Sequence, residues 1–256
     1  GPNPAYQWYV NGSPVGSNSN TYSSYSLLNA NEVSCTVSSN LGGCVTNNPA
    51  NSNVLTMSVS GIFTYYWIGG SGNWSDGSHW ALISGGTPVN LVPGTQNNVR
   101  FDANSGFISS SKTVTVDVSV ASCADMNWTG SANAPIFTTT SSNNNLKIYG
   151  SLTLIPQMTW DFTGSIYFEA TTTGHTITSA GKTFLREIHF NGSGGEWTLQ
   201  DMLKTNNDYY NTIYHNYGSL KTNDQTIMAY SFISSTNNVR SLDLGNSLII
   251  LSTYYS

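Results

Sequence analysis

Charge is what this chain has least of. Only 8% of its 256 residues are Asp, Glu, Lys or Arg, against about a quarter in an ordinary soluble domain. The eight Lys and Arg do not cluster, so no stripe of cations is present to neutralise a phosphate backbone, and nucleic acid is excluded as an expected partner. Long apolar runs are also missing: nothing approaches the roughly 18 residues that a membrane-spanning helix needs, and the opening Gly1-Pro2-Asn3-Pro4 lacks the basic and apolar regions of a secretion signal. A helical period of 3.6 is absent throughout. Cysteine is scarce and odd in number, at three.

What fills the space is uncharged polarity. Asn, Ser, Thr and Gly occupy nearly every turn-like position between short apolar strands. Hydrophobic content of 38% and aromatic content of 12% are too high for a disordered chain. Polarity held in hydrogen-bonding side chains suits stacked turns, and the composition is that of a secreted, β-rich scaffold.

Residues 1–60 read as antiparallel strands. Tyr6-Gln7-Trp8-Tyr9-Val10 alternates and runs into Asn11-Gly12, a strong hairpin signal because both residues tolerate positive φ. Glu32 to Val37 alternates cleanly, and Val54 to Val59 forms a further strand. An immunoglobulin-like sandwich carries a core Trp on one strand and a Cys on its neighbour, and Trp8 with Cys35 fit those places. Cys35 and Cys44 either close a disulfide across a hairpin or leave free thiols, and Cys123 reads as a small buried residue.

Residues 61–97 form a Trp- and Gly-rich segment. Trp67, Trp74 and Trp80, interleaved with Gly69, Gly70 and Gly72, set large apolar plates beside tight turns. The first reading is a cap that seals the end of an elongated core; the second is an aromatic platform on which sugars stack, with these three tryptophans as binding residues. From 98 to 256, strands recur every 20–25 residues: Asn98–Phe101, Lys112–Asp117, Leu146–Leu154, Ser165–Phe168, Glu187–Phe190, Trp197–Leu199, Ser219–Thr222 and Ser241–Leu244. That period predicts an all-β, right-handed parallel β-helix, since each coil buries its apolar face only by stacking on the next.

The run Asn3 to Gly12, with Glu32-Val33-Ser34-Cys35 and Ser52-Asn53, resembles the immunoglobulin-like repeats of very large Bacteroidetes surface proteins. The later strings Tyr65 to Trp80, Val92 to Ser105, Lys112 to Trp128, and Leu146 to Leu154 are similar to the β-helical regions that follow such repeats in giant secreted adhesins and gliding-associated proteins. The resemblance implies a fragment of a cell-surface adhesin exported by a type IX secretion system, extracellular, with surface glycans or other cell-surface proteins as partners. It implies that residues 1–60 lack the earlier strands of their domain, that Cys35 or Cys44 lost a partner with them, and that the β-helix continues past the last residue. It carries no catalytic residues.

Catalytic patterns are weak. Thr222-Asn223-Asp224 and Gly174-His175-Thr176 echo pieces of pectin-degrading hydrolases, but the paired carboxylates such chemistry needs are missing. His79, His175, His189 and His215 have no second His or Cys at ligand spacing, so no metal or cofactor is expected. The chain reads as a non-catalytic, adhesive surface module, with a carbohydrate-binding or polysaccharide-degrading β-helix as the alternative.

Overall fold

The computed structural model describes residues 4–24, 27, 29–39, 46–58, 63–206 and 211–252. The chain divides into two compact units, residues 1–61 and 62–256, and about 1% of it is helical.

The first unit is a five-stranded antiparallel sheet. Ala5–Val10 pairs with Ser13–Val15 through the Asn11-Gly12 turn, where both residues sit at positive φ (51° and 77°), the twist that lets a two-residue loop close a hairpin. Ala5–Val10 also pairs with Glu32–Ser38, which places Trp8 directly opposite Cys35. The Trp8 Nε1–H donates to the Ser19 carbonyl at 2.9 Å, and the indole stacks on Tyr22. Ala50–Asn51 and Leu55–Thr56 both pair with Glu32–Ser38. The described residues thus form one antiparallel sheet rather than two packed ones.

The second unit is a β-solenoid of about six turns. Each inner coil lays one short strand on each of three faces, and almost every ladder is parallel. The first face carries nine strands in one sheet, running from Thr64–Trp67 to Arg240–Asp243 and closed at its start by Trp80–Ala81. The second face carries two four-stranded sheets in succession. The third carries six strands: Val120–Cys123, Asn145–Ile148, Ile166–Phe168, Ile188–Phe190, Thr212–His215 and Ser231–Ile233. Side-chain-to-backbone bonds between equivalent positions on successive coils span 27, 26, 25 and 22 residues, so the coils are not of equal length.

Alternation decides which residues fill the interior. On the third face Leu146, Ile166, Ile188 and Ile213 stack in one buried column, and Cys123, Ile148, Phe168, Phe190 and His215 stack in the next. The second face contributes Val114, Phe137 and Trp160, the first Val99, Met126, Leu152 and Ile177. Burying each large side chain contributes roughly 1.5–3 kcal/mol, and because columns run continuously no coil has a core of its own.

The corners are set by close backbone approach. A Cβ on Gly192 would stand 1.7 Å from the Ala170 carbonyl oxygen, and one on Gly164 equally close to that of Asn144, so these turns admit only glycine. The stretch Leu146 to Leu154, which reads as one strand in the sequence, turns such a corner. Asn145–Ile148 lies on the third face and Leu152–Thr153 on the first, with Gly150 packed under Asp125.

Residues 63–97 start the solenoid. Thr64–Trp67 is the first parallel rung beside Asn98–Arg100, and Gly72–Asn73 the first rung of the second face. Trp80–Ala81 runs antiparallel to Thr64–Trp67 and covers an edge that would otherwise present unpaired N–H and C=O groups.

Candidate functional site

The three tryptophans proposed as a sugar platform lie inside. Trp67, Trp74 and Trp80 are 0%, 1% and 0% exposed and pack edge-on, with Trp67–Trp80 and Trp74–Trp80 centroids 4.9 and 5.0 Å apart. The Trp67 and Trp80 indole N–H groups donate to the Gly70 and Trp74 carbonyls, respectively. His79 lies flat against Trp67 at 4.8 Å. With no face open to solvent, these rings cannot stack on a ligand; they pack into the core where the solenoid begins. Cys35 is a buried thiol and so is Cys123, whose pKa burial pushes far up. Cys44 lies outside the described residues.

The hydrolase-like echoes serve the stack. Thr222 donates to the Asp243 and Leu244 carbonyls, Asn223 to Leu199, and Asp224 accepts the Asn246 N–H. His175 pairs with the Thr172 hydroxyl at 3.0 Å. Among the described residues no three His, Cys, Asp or Glu side chains gather into a metal set, and no helix is long and apolar enough to cross a membrane.

A different group converges on the outside of the third face. Between the buried columns the side chains point outward, and register places Ser122, Lys147, Tyr167, His189 and Tyr214 on successive coils in one column. The rings stack face to face: Tyr167 on His189 at 4.4 Å with planes 8° apart, and His189 on Tyr214 at 4.6 Å and 9°. The Lys147 ammonium lies 5.5 Å from the Tyr167 centroid, a cation–π distance. Such cross-strand aromatic pairs each contribute roughly 0.2–1 kcal/mol, enough to hold a partly exposed ring in one orientation.

Carboxylates flank the column on both sides. Glu169 pairs with Lys147 at 3.3 Å. Glu187 lies 3.4 Å from His189 Nε2 and accepts from the Ser165 hydroxyl at 3.4 Å. Burial, and then the Glu187 charge, push the Tyr167 phenol above its ordinary value, against Lys147 and a hydrogen bond with Ser165. Burial holds His189 below 6.5 and outweighs the opposing pull of Glu187. The imidazole is therefore neutral at pH 7, and its contact with Glu187 is a hydrogen bond rather than an ion pair. Asn191 and Asn216 continue the polar flank, bonded to each other at 2.9 Å.

Two clefts adjoin this surface or its corner. One of about 390 Å³ opens beside Ser122, at the foot of the column, between Pro93, Thr95, Val118 and Val120. The other, about 220 Å³, lies over Gly195 and Gly218, where the charged neighbours are already engaged: Arg240 donates to Ser234, Thr236 and Asn238, and Glu196 pairs with Lys221 at 2.7 Å.

The outward column was not found from the sequence. The strand signals at Ser165–Phe168 and Glu187–Phe190 put His189 outward, but unequal loop lengths hide which residues share a column. No protein-family model, curated protein or solved structure matches the chain, so its functional reading rests on this geometry.

Proposed function

We propose that the chain is a non-catalytic adhesive module of an extracellular surface protein, in which the solenoid is the stiff display element and the outward column on its third face makes the contact. The observation that carries this reading is the pre-stacked column Lys147, Tyr167, His189 and Tyr214. Side chains already ordered in the free protein lose little conformational entropy on binding, and a backbone paired on both sides of each inner coil resists shear and proteolysis. The low charge of the chain keeps the desolvation of a contact surface small.

Three further features belong to the same proposal. Right-handed winding follows from the handedness of nearly all parallel crossovers. An immunoglobulin-like origin of residues 1–60 is supported by the Trp8–Cys35 pairing across adjacent strands. Secretion, and kinship with the giant Bacteroidetes adhesins, rest on the motif resemblance. The direct test is retention of chain-coated beads on glycan-coated or cell surfaces under flow. Retention that disappears in a Tyr167→Ala, His189→Ala, Tyr214→Ala variant of unchanged fold is the expected result; beads that hold no better than uncoated ones sink the reading.

A second reading, polysaccharide cleavage on the same face, draws on the contacts of His189 with Tyr167 and with Glu187, groups able to move protons. Release of new reducing ends or unsaturated products from a polysaccharide panel is its test.

A further inference from the structure

The column limits what it binds. Because the rings stack on one another, both faces of His189 are covered by tyrosines, and Lys147 lies over Tyr167. What faces outward is a row of ring edges, with phenol oxygens and imidazole nitrogens, repeated at the spacing of the coils, about 4.7–4.9 Å. His189, closed on both sides, offers no ring face to a stacking ligand. A ligand that repeats hydroxyl groups along its length meets a hydrogen-bonding edge on every coil.

Charge narrows the class. Lys147 is matched by Glu169 at 3.3 Å, His189 is neutral at pH 7, and the Glu187 carboxylate accepts hydrogen bonds from Ser165 and His189. Within the column a polyanion finds no cation without a carboxylate beside it. A polycation finds only the Glu187 carboxylate, half enclosed and already hydrogen-bonded. Asn191 and Asn216 add uncharged amide groups to the flank.

We propose that the third face binds a neutral, linear polysaccharide lying along the solenoid axis, across the five coils from Ser122 to Tyr214, with its lower end at the cleft beside Ser122. This rests on the adhesive reading above and names its ligand. Contact is by hydrogen bonds to ring edges and amides rather than by stacking. Affinity rises with oligomer length until the ligand spans those five coils, then levels off.

The test is calorimetric titration of the full chain with neutral β-linked glucan and mannan oligomers of increasing length, with oligogalacturonate, and with a chitosan oligomer. Neutral oligomers bind in a length-dependent way and the uronate does not. Tyr167→Phe together with Tyr214→Phe keeps the stacked rings, at the stability cost of the Tyr167–Ser165 hydrogen bond, but weakens neutral binding about tenfold, as the loss of two hydrogen bonds does. Glu187→Gln leaves neutral binding within about threefold and relieves rejection of the uronate.

Preference for uronate or chitosan, or undiminished binding by the double Phe variant, overturns the inference. If no oligosaccharide binds while chain-coated beads still adhere, the inference fails and the adhesive reading stands with a protein partner. If oligomers bind as described while beads do not hold, the adhesive reading fails and the inference stands. Shortened oligomers in the cell would replace the non-catalytic reading with polysaccharide cleavage.

Discussion

The two units use the same kind of strand to opposite ends. In the first, hairpin pairing keeps strands close in sequence, and among its described hydrophobic residues only Val33 and Cys35 are buried. In the second, parallel stacking joins residues a full coil apart, and one continuous core runs from Tyr65 to Ala229. Antiparallel pairing places different residue types opposite one another. Parallel coiling brings equivalent positions into columns, inside and outside alike. The interior columns carry stability, and one exterior column carries the candidate contact surface.

Substitutions that exploit this contrast separate the units. Gly192→Ala forces a Cβ against the Ala170 carbonyl, in a corner that the coils on both sides hold in place; destabilisation of the second unit by about 4 kcal/mol or more is expected. Gly12→Ala, at φ +77° with nothing within 4 Å, meets only backbone strain and costs the first unit about 1–2 kcal/mol. The two buried thiols read the units independently. Cys123 labelling in denaturant should advance in Gly192→Ala while Cys35 labelling does not move, and the reverse pattern would refute the separation.

Core truncation sharpens the same contrast at a smaller scale. Phe137 touches Trp74, Trp128, Trp160 and Phe162, and Phe137→Ala is expected to cost about 3–5 kcal/mol. Trp8→Ala removes a half-buried ring with one stacking partner and one hydrogen bond, at about 1–2 kcal/mol. Equal losses in urea unfolding would show that the first unit has more core than its burial implies.

The smallest effect is in pH, and it falls on the second unit alone. Burial lowers the pKa of His189 and of His215 below 6.5. The unfolded chain then takes up protons first as pH falls, so stability is full above about 6.5 and declines below it. His215 is wholly buried, its Nε2–H donating to the Gly218 carbonyl at 3.1 Å while Nδ1 has no partner, so protonation there is especially unfavourable. A decline in the melting temperature of the second unit between pH 7.5 and 5.5, flattened in a His189→Phe, His215→Phe variant, is expected. A slope unchanged in that variant would assign the effect to other groups.

Much of the fold was legible. The Asn11-Gly12 turn, the alternating strands and the recurring Asn- and Gly-rich corners each have local causes, and the period of the strands points to a solenoid. The second face was read less well, because strands of two to four residues such as Thr183–Phe184 and Thr159–Asp161 are too short for alternation to register. Trp67, Trp74 and Trp80 show what sequence leaves open at a site. A cluster of aromatics reads as a cap first and a platform second until burial distinguishes them, and here all three rings are buried.

Local chemistry in the sequence thus determined strand, turn and corner, the all-β class and the stacking of coils. Only the tertiary structure decided which outward residues meet. Lys147, Tyr167, His189 and Tyr214 lie on strands joined by connections of unequal length, and their alignment depends on register between coils, which is set by packing of the interior columns and by glycine corners with no room for a side chain.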